Sequence, residues 1–408
     1  MKKLSLSVIY RTSLAIFAML FGAGNLVLPP RLGMLCGSLL PYGLAGFVLT
    51  GVFVPFLGLI AIILFHGNYR DFFNRIGTIP GFLMTLFCMA ILGPVLIMPR
   101  IVTLSYAMLV PFMPGAVSLG LFSVLFLSLT FLATYKPAGL LDLIGKFLSP
   151  LKVLCILTII AIGITSGQSA ATTTNAPLQL FFEGIKDGYL TVDLLGTIFF
   201  GSIIMSLLLG KQKPTESIMK NIMATTTISG TAACSFLALI YAGLSYLGAF
   251  HGAGLEHLNE SEIFSQLCFK ILGYHGAALI GVTVFLACFI TAIALTAVVG
   301  QYVQKELLQE RISYPLSLAL VLIGCLIPSL YGFAAIVAYA KPMLFIVYPI
   351  LLAITLCNLL YKLFGFTYIK TPVLFVALVV LGHAYYEKQQ KTLPTETIQA
   401  AIGGDHAV

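Results

Sequence analysis

The run Phe21-Gly22-Ala23-Gly24-Asn25, followed by Pro29-Pro30, places backbone-loosening residues inside a long apolar stretch. Unwound backbone at membrane depth survives where it lines a cavity or is buried in protein. Carbonyls freed by such a break can ligate a cation. Freed N–H groups at the start of a half-helix can hold a carboxylate. The same glycines would also serve close packing of helices. A second glycine-interrupted run, Gly196-Thr197-Ile198-Phe199-Phe200-Gly201-Ser202, lies five apolar stretches further on. A repeat of five spans is odd, so its second copy runs with opposite orientation. Paired interrupted helices in corresponding positions point to the midplane site of a carrier.

Three single residues add to these runs. Thr291, within Ala287–Thr296, offers a hydroxyl oxygen of the kind a hard cation prefers, although a membrane Thr commonly bonds its own helix. Arg100 is a charge within the third span and Asp193 opens the sixth, both toward the outer side. They could pair as an outer gate; the plainer alternative is a snorkelling Arg100 and a helix-capping Asp193. Lys341-Pro342 reads as a kink with a snorkelling Lys.

The elements that must position these residues are transmembrane helices. Of 408 residues, 59% are hydrophobic and 9% charged, against about 25% charged in a soluble domain. Roughly 240 apolar residues, at roughly 20 per span, allow ten to twelve spans. They fall near 8–30, 39–65, 82–110, 117–135, 146–166, 190–210, 223–250, 273–303, 313–330, 333–361 and 371–386. That makes eleven, or twelve if the stretch 333–361 splits at Lys341-Pro342. With the N-terminus inside, the inner segments hold 15 of the 22 basic residues, Arg11, Arg70, Arg75, Lys152, Lys305 and Arg311 among them, and the outer loops hold Arg31, Lys186 and Lys270. The chain therefore reads as one transmembrane domain over 1–386, with a short polar tail over 387–408. The net charge of +8 is scattered singly, which fits membrane topology and not phosphate binding. The eight cysteines form no CxxC and read as small buried hydrophobes. No HExxH and no paired mid-span acids point to an intramembrane enzyme, and no loop holds the output domain of a sensor.

As a set, the segments FGAGNLVLPPRLG, GPVLIMPRIVTLSYAM, GLLDLIGKFLSPL, GYLTVDLLGTIFFG and ACFITAIALT resemble the branched-chain amino acid transport system II carriers, over about residues 8 to 360. The resemblance implies an all-α, LeuT-type fold of two inverted five-helix repeats (about 8–166 and 190–361), with the first and sixth helices broken. It implies a bacterial inner-membrane symporter for leucine, isoleucine and valine, coupled to sodium, with protons or another neutral amino acid as the alternative. It needs the lipid bilayer and no obligate protein partner. The backbone N–H groups of Ala23 and Gly24 would hold the substrate carboxylate. The carbonyls of Ala18 and Phe21 would hold sodium, completed by Thr291 and a carbonyl at Ala287 or Cys288. Asn25 would serve a second cation if the sixth and seventh spans supply partners. Phe200, Gly201, Ser202 and Tyr106 would line the substrate pocket. The chain departs from the family in having Ile290 where the pattern has a second Thr, and in a short C-terminus.

Overall fold

The computed structural model describes residues 6–22, 24–135, 149–166, 170, 172–210 and 215–392, which are helical with short connections. The first pass is split into α1 (Leu6–Leu20) and α2 (Gly24–Cys36). The second comprises α3 (Leu40–Val48) and α4 (Val54–Leu64), joined by a π turn at Leu49–Phe53. A short helix α5 (Tyr69–Asn74) follows, started by the Asn68 side chain, which accepts from the amides of Arg70 and Asp71. The third pass comprises α6 (Thr78–Ala90) and α7 (Ile97–Leu109). Between them Gly93 leaves helical geometry (φ −95, ψ −113) and Pro94 supplies no N–H, so the ladder slips into a π turn. The next two passes are α8 (Leu119–Tyr135) and α9 (Ser149–Thr165).

In the sixth pass the structure departs from the reading of the sequence. Helix α10 (Pro177–Tyr189) is the first half of this pass, and α11 (Asp193–Leu209) is the second half. The break falls at Leu190–Val192, where Val192 takes the left-handed conformation (φ 63, ψ 18). Gly196–Ser202 is continuous helix. Gly201 serves packing instead: a Cβ there would lie 2.3 Å from Ile62 of α4. The break was illegible because it uses no glycine at its left-handed residue.

Five further helices complete the chain: α12 (Glu216–His251), α13 (Glu260–Tyr302), α14 (Tyr314–Ser329), α15 (Gly332–Phe364) and α16 (Lys370–Thr392). Helix α13 opens with a capping box of Asn259 and Glu262 and is bent at Gly273 (φ 67), which separates a lateral arm from the pass that follows. Helix α15 runs unbroken through Pro342 and Pro349, so the described residues make eleven passes, not twelve.

Backbone-to-backbone crossings fasten one half of each broken pass. A Cβ on Gly248 of α12 would lie 1.9 Å from the Pro30 carbonyl of α2, and one on Gly184 of α10 would lie 2.0 Å from the Gly43 carbonyl of α3. Such approaches let helices associate where lipid supplies no hydrophobic drive. Helix α1 is held to α12 separately, the Ser229 hydroxyl donating to the Ile9 carbonyl at 3.0 Å. All eight cysteines are buried and free.

Candidate functional site

The break between α1 and α2 follows from its sequence. Helix α1 stops at Leu20, and α2 restarts at Gly24. The first four amides of α2 lack intrahelical partners. Pro29 and Pro30 bring no N–H to the carbonyls of Asn25 and Leu26, so polar backbone gathers at this depth. Ala23 lies outside the described residues. The Asn25 amide closes the break: its Nδ2 donates to the Leu20 carbonyl at 2.8 Å and to Asp193 Oδ2 at 2.9 Å, with the Tyr241 hydroxyl also in contact with it. Tyr241, on α12, donates in turn to Asp193 at 3.2 Å. The two breaks are thus tied to each other through Asn25 and Asp193.

Between the breaks lies a small cavity of about 50 Å³. Its lining mixes polar positions, among them Gly22, Gly24, Asn25, Arg100, Thr191, Asp193 and Thr291, with apolar ones. The apolar ones include Met19, Leu92, Ile97, Ile101, Phe200 and Leu295. Arg100 is buried at 5% exposure, and its Nη1 donates to the Leu190 carbonyl at 2.6 Å. Its Nε and Nη2 have no hydrogen-bond partner. The guanidinium lies against Gly24, where a Cβ would come within 3.0 Å of Nη1. Two orphaned donors of a buried cation, set beside the N-terminus of α2, form a site for an anion.

Of the residues expected from the sequence, Gly24, Asn25, Phe200, Thr291, Arg100 and Asp193 meet at this cavity. Arg100 and Asp193 share it without a direct hydrogen bond between them; each bonds to a different break. Asp193 is not at the outer end of its pass but at the discontinuity, buried beside Asn25. Gly201 packs on α4, and Ser202 donates to the Gly67 carbonyl at a turn, so neither lines the cavity. Tyr106 lines a separate pocket near Asn259 and Phe333, its hydroxyl donating to the Val117 carbonyl at 3.1 Å.

The cation position expected from the resemblance contains a charge of the chain's own. Lys152 of α9 is buried, and its Nζ donates to the Phe21 carbonyl at 2.9 Å. It also stands 4.9 Å from the centre of the Phe21 ring. Thr291 donates to the Ala287 carbonyl at 3.0 Å. Cys288 is buried, its thiol facing Ser105 and Lys152. Ala18 is half-buried on α1 and is not among the residues lining the cavity. A sodium ion at Phe21 would lie beside this ammonium; two unit charges 4 Å apart repel by about 4 kcal/mol at an effective dielectric of about 20. The residues present therefore do not fit sodium at that carbonyl while Lys152 holds it.

An ion-pair network that the sequence did not reveal crosses the end of the bundle away from the N-terminus. Arg31 of α2 donates to both oxygens of Asp187 on α10, at 2.8 and 2.7 Å. Glu260 of α13 joins Arg31 at 3.5 Å and Lys341 of α15 at 3.6 Å. At the opposite end Arg70 pairs with Glu306 at 3.0 Å, and Arg75 donates to Asn358 at 3.0 Å and stacks on Tyr361. Partner choice across hundreds of positions leaves no local spacing in a sequence. Lys152 did carry a legible signal, a lone Lys inside the apolar run Leu151–Thr165.

Comparison with known proteins agrees with this architecture. The chain superposes on the inward-facing conformation of Mhp1 with a TM-score of 0.63 at 12% identity, covering 94% of this chain and 91% of that one. It superposes on MhsT in complex with L-phenylalanine with a TM-score of 0.57 at 15% identity, covering 94% and 98%. These are LeuT-type transporters, and at such identity they establish the fold. In sequence it is 32% identical over 356 residues to the branched-chain amino acid permease BraB of Bacillus subtilis, covering 86% of this chain and 79% of the permease. It is 31% identical over 373 residues to the permease BrnQ of the same organism, covering 89% and 83%. The model of the family described as branched-chain amino acid transport protein matches residues 6–401. A multi-pass helical chain with two broken helices around a cavity, matched to that family along nearly its whole length, belongs to the branched-chain amino acid transport proteins.

Proposed function

We propose that this protein is a secondary carrier that moves leucine, isoleucine and valine across the bacterial cytoplasmic membrane by alternating access. The observation that carries this reading is the cavity's mixed lining of polar and apolar groups. An α-amino acid is a carboxylate and an ammonium on one carbon with an apolar side chain. The orphaned Nε and Nη2 of Arg100 and the N-terminus of α2 suit the carboxylate. Asp193 suits the ammonium. Met19, Ile101, Phe200 and Leu295 suit a branched aliphatic side chain. An apolar wall separates neighbours differing by one methylene by about 1–3 kcal/mol, so the three substrates would share the site.

The ion pairs at the two ends supply the gates. Parting Arg31 from Asp187 would admit substrate from one face; parting Arg70 from Glu306 would release it at the other. The excess of basic residues on the N-terminal side supports a cytoplasmic N-terminus. Accumulation is driven by a cation gradient: sodium is what the resemblance implies, and protons are the alternative. A cation entering down the membrane potential supplies about 2.3 kcal/mol per charge per 100 mV. The test is leucine uptake into proteoliposomes under an inward sodium gradient and, separately, a proton gradient. Uptake under neither, with no exchange of internal for external leucine, would refute the carrier reading.

A further inference from the structure

We infer that the Lys152 ammonium is a tethered cation that does at the first break what a mobile sodium ion would otherwise do, so that this carrier sets its substrate site without sodium at Phe21. The inference rests on the reading of the chain as a carrier for its function, but its geometry stands by itself. The C-terminal end of α1 is the negative end of a helix dipole, and the Phe21 carbonyl projects there. A positive charge belongs at such a point, and the chain delivers one from α9: Lys152 Nζ reaches the Phe21 carbonyl at 2.9 Å.

A buried ammonium ordinarily lies beside a carboxylate. Among the described residues no ion pair involves Lys152, and the titratable side chain facing it is the Cys288 thiol of α13. A lysine in an apolar helix with a carbonyl and an aromatic face as its partners is not there to balance an acid. What it does is bridge α9 to the end of α1 at the first break. Sodium in that position would bridge two helices in the same way, and would dissociate at each turnover. A tethered ammonium stays.

The test compares purified wild type and Lys152→Ala in detergent, in sodium chloride and in choline chloride, by thermal unfolding. A ligand that binds the folded state raises the melting temperature. The expected result is no difference between the salts for the wild type, and a sodium-specific rise for Lys152→Ala, whose Phe21 carbonyl is freed. A sodium-specific rise in the wild type overturns the inference, whether or not Lys152→Ala folds. A Lys152→Ala protein that folds and shows no sodium response also overturns it, because the position would then not be a cation site. Leucine exchange in sodium-free proteoliposomes runs alongside. If no leucine exchanges in either salt, the substrate reading fails while the melting comparison still decides the role of Lys152.

Discussion

The guanidinium of Arg100 donates to the Leu190 carbonyl at 2.6 Å, fastening the third pass to the break in the sixth while two of its nitrogens stay unpartnered. Leaving donors of a buried cation unmade is costly, and the cost is recovered when an anion arrives. Arg100→Gln is expected to weaken leucine binding by about 10–100-fold, the range of a charged hydrogen bond worth about 1.5–3 kcal/mol. Isothermal titration with leucine and with leucinol, which lacks the carboxylate, checks it. Loss for leucine without loss for leucinol is the signature of carboxylate recognition; equal losses would remove Arg100 from that role.

The two glycines of the first break should behave differently. A Cβ at Gly24 meets the Arg100 guanidinium at 3.0 Å, whereas a Cβ at Gly22 meets nothing within 4 Å. Gly24→Ala should displace Arg100 and lower leucine uptake at least about tenfold, and Gly22→Ala should leave folding intact with a smaller effect. Equal uptake by both variants would refute the contact argument.

Asp193 stands where the substrate ammonium is proposed to lie. Asp193→Asn should reduce leucine affinity by about tenfold or more while barely changing affinity for 4-methylpentanoate, which has the carboxylate and the isobutyl group but no amine. Competition against labelled leucine measures both. A parallel drop for the two ligands would mean that Asp193 acts on the fold through Asn25 and Tyr241 and not on the ligand.

Gate function at the far end is tested through Arg31 and Asp187. Arg31→Gln should raise the rate at which an impermeant maleimide, added from that face, labels Ile101→Cys. The native cysteines are all buried. The exchange Arg31→Asp with Asp187→Arg should return the rate toward that of the parent, because the pair and its bidentate geometry are partly restored. An unchanged labelling rate in Arg31→Gln would show that the network closes nothing.

The apolar wall sets the size limit. Leu295→Phe narrows the cavity beside Phe200, and valine should then be favoured over leucine by about 1–3 kcal/mol relative to the parent, read from the ratio of uptake efficiencies. No change in that ratio would place the side-chain pocket elsewhere.

How much of this could be read from the sequence depended on whether the signal was local. Gly22-Ala23-Gly24-Asn25 announced the first break because glycine and asparagine act on their own backbone, and the helix count followed from apolar length. The second break was misplaced by several residues: Gly196 and Gly201 are conspicuous, yet Gly201 serves close contact with Ile62, while the discontinuity sits at Val192, a residue that ordinarily favours regular structure. Asp193 was placed at the outer end of its pass, as a gate partner of Arg100 or a helix cap, for the same reason, since its depth follows from where the helix starts. The partners of Arg31, Lys152 and Tyr241 lie 156, 131 and 48 positions away, and no spacing rule connects them. Tyr106 and Ser202 looked like pocket residues by family position, but each hydroxyl is engaged by a nearby carbonyl outside the cavity.

Val192 carries a branched side chain in a left-handed backbone, a conformation that costs such a residue about 1–3 kcal/mol. A hinge made of glycine would swing freely and remember nothing. A hinge made of valine recoils. Any change in the angle between α10 and α11 that takes residue 192 out of this conformation recovers that cost, an amount a glycine at the same place would never have held.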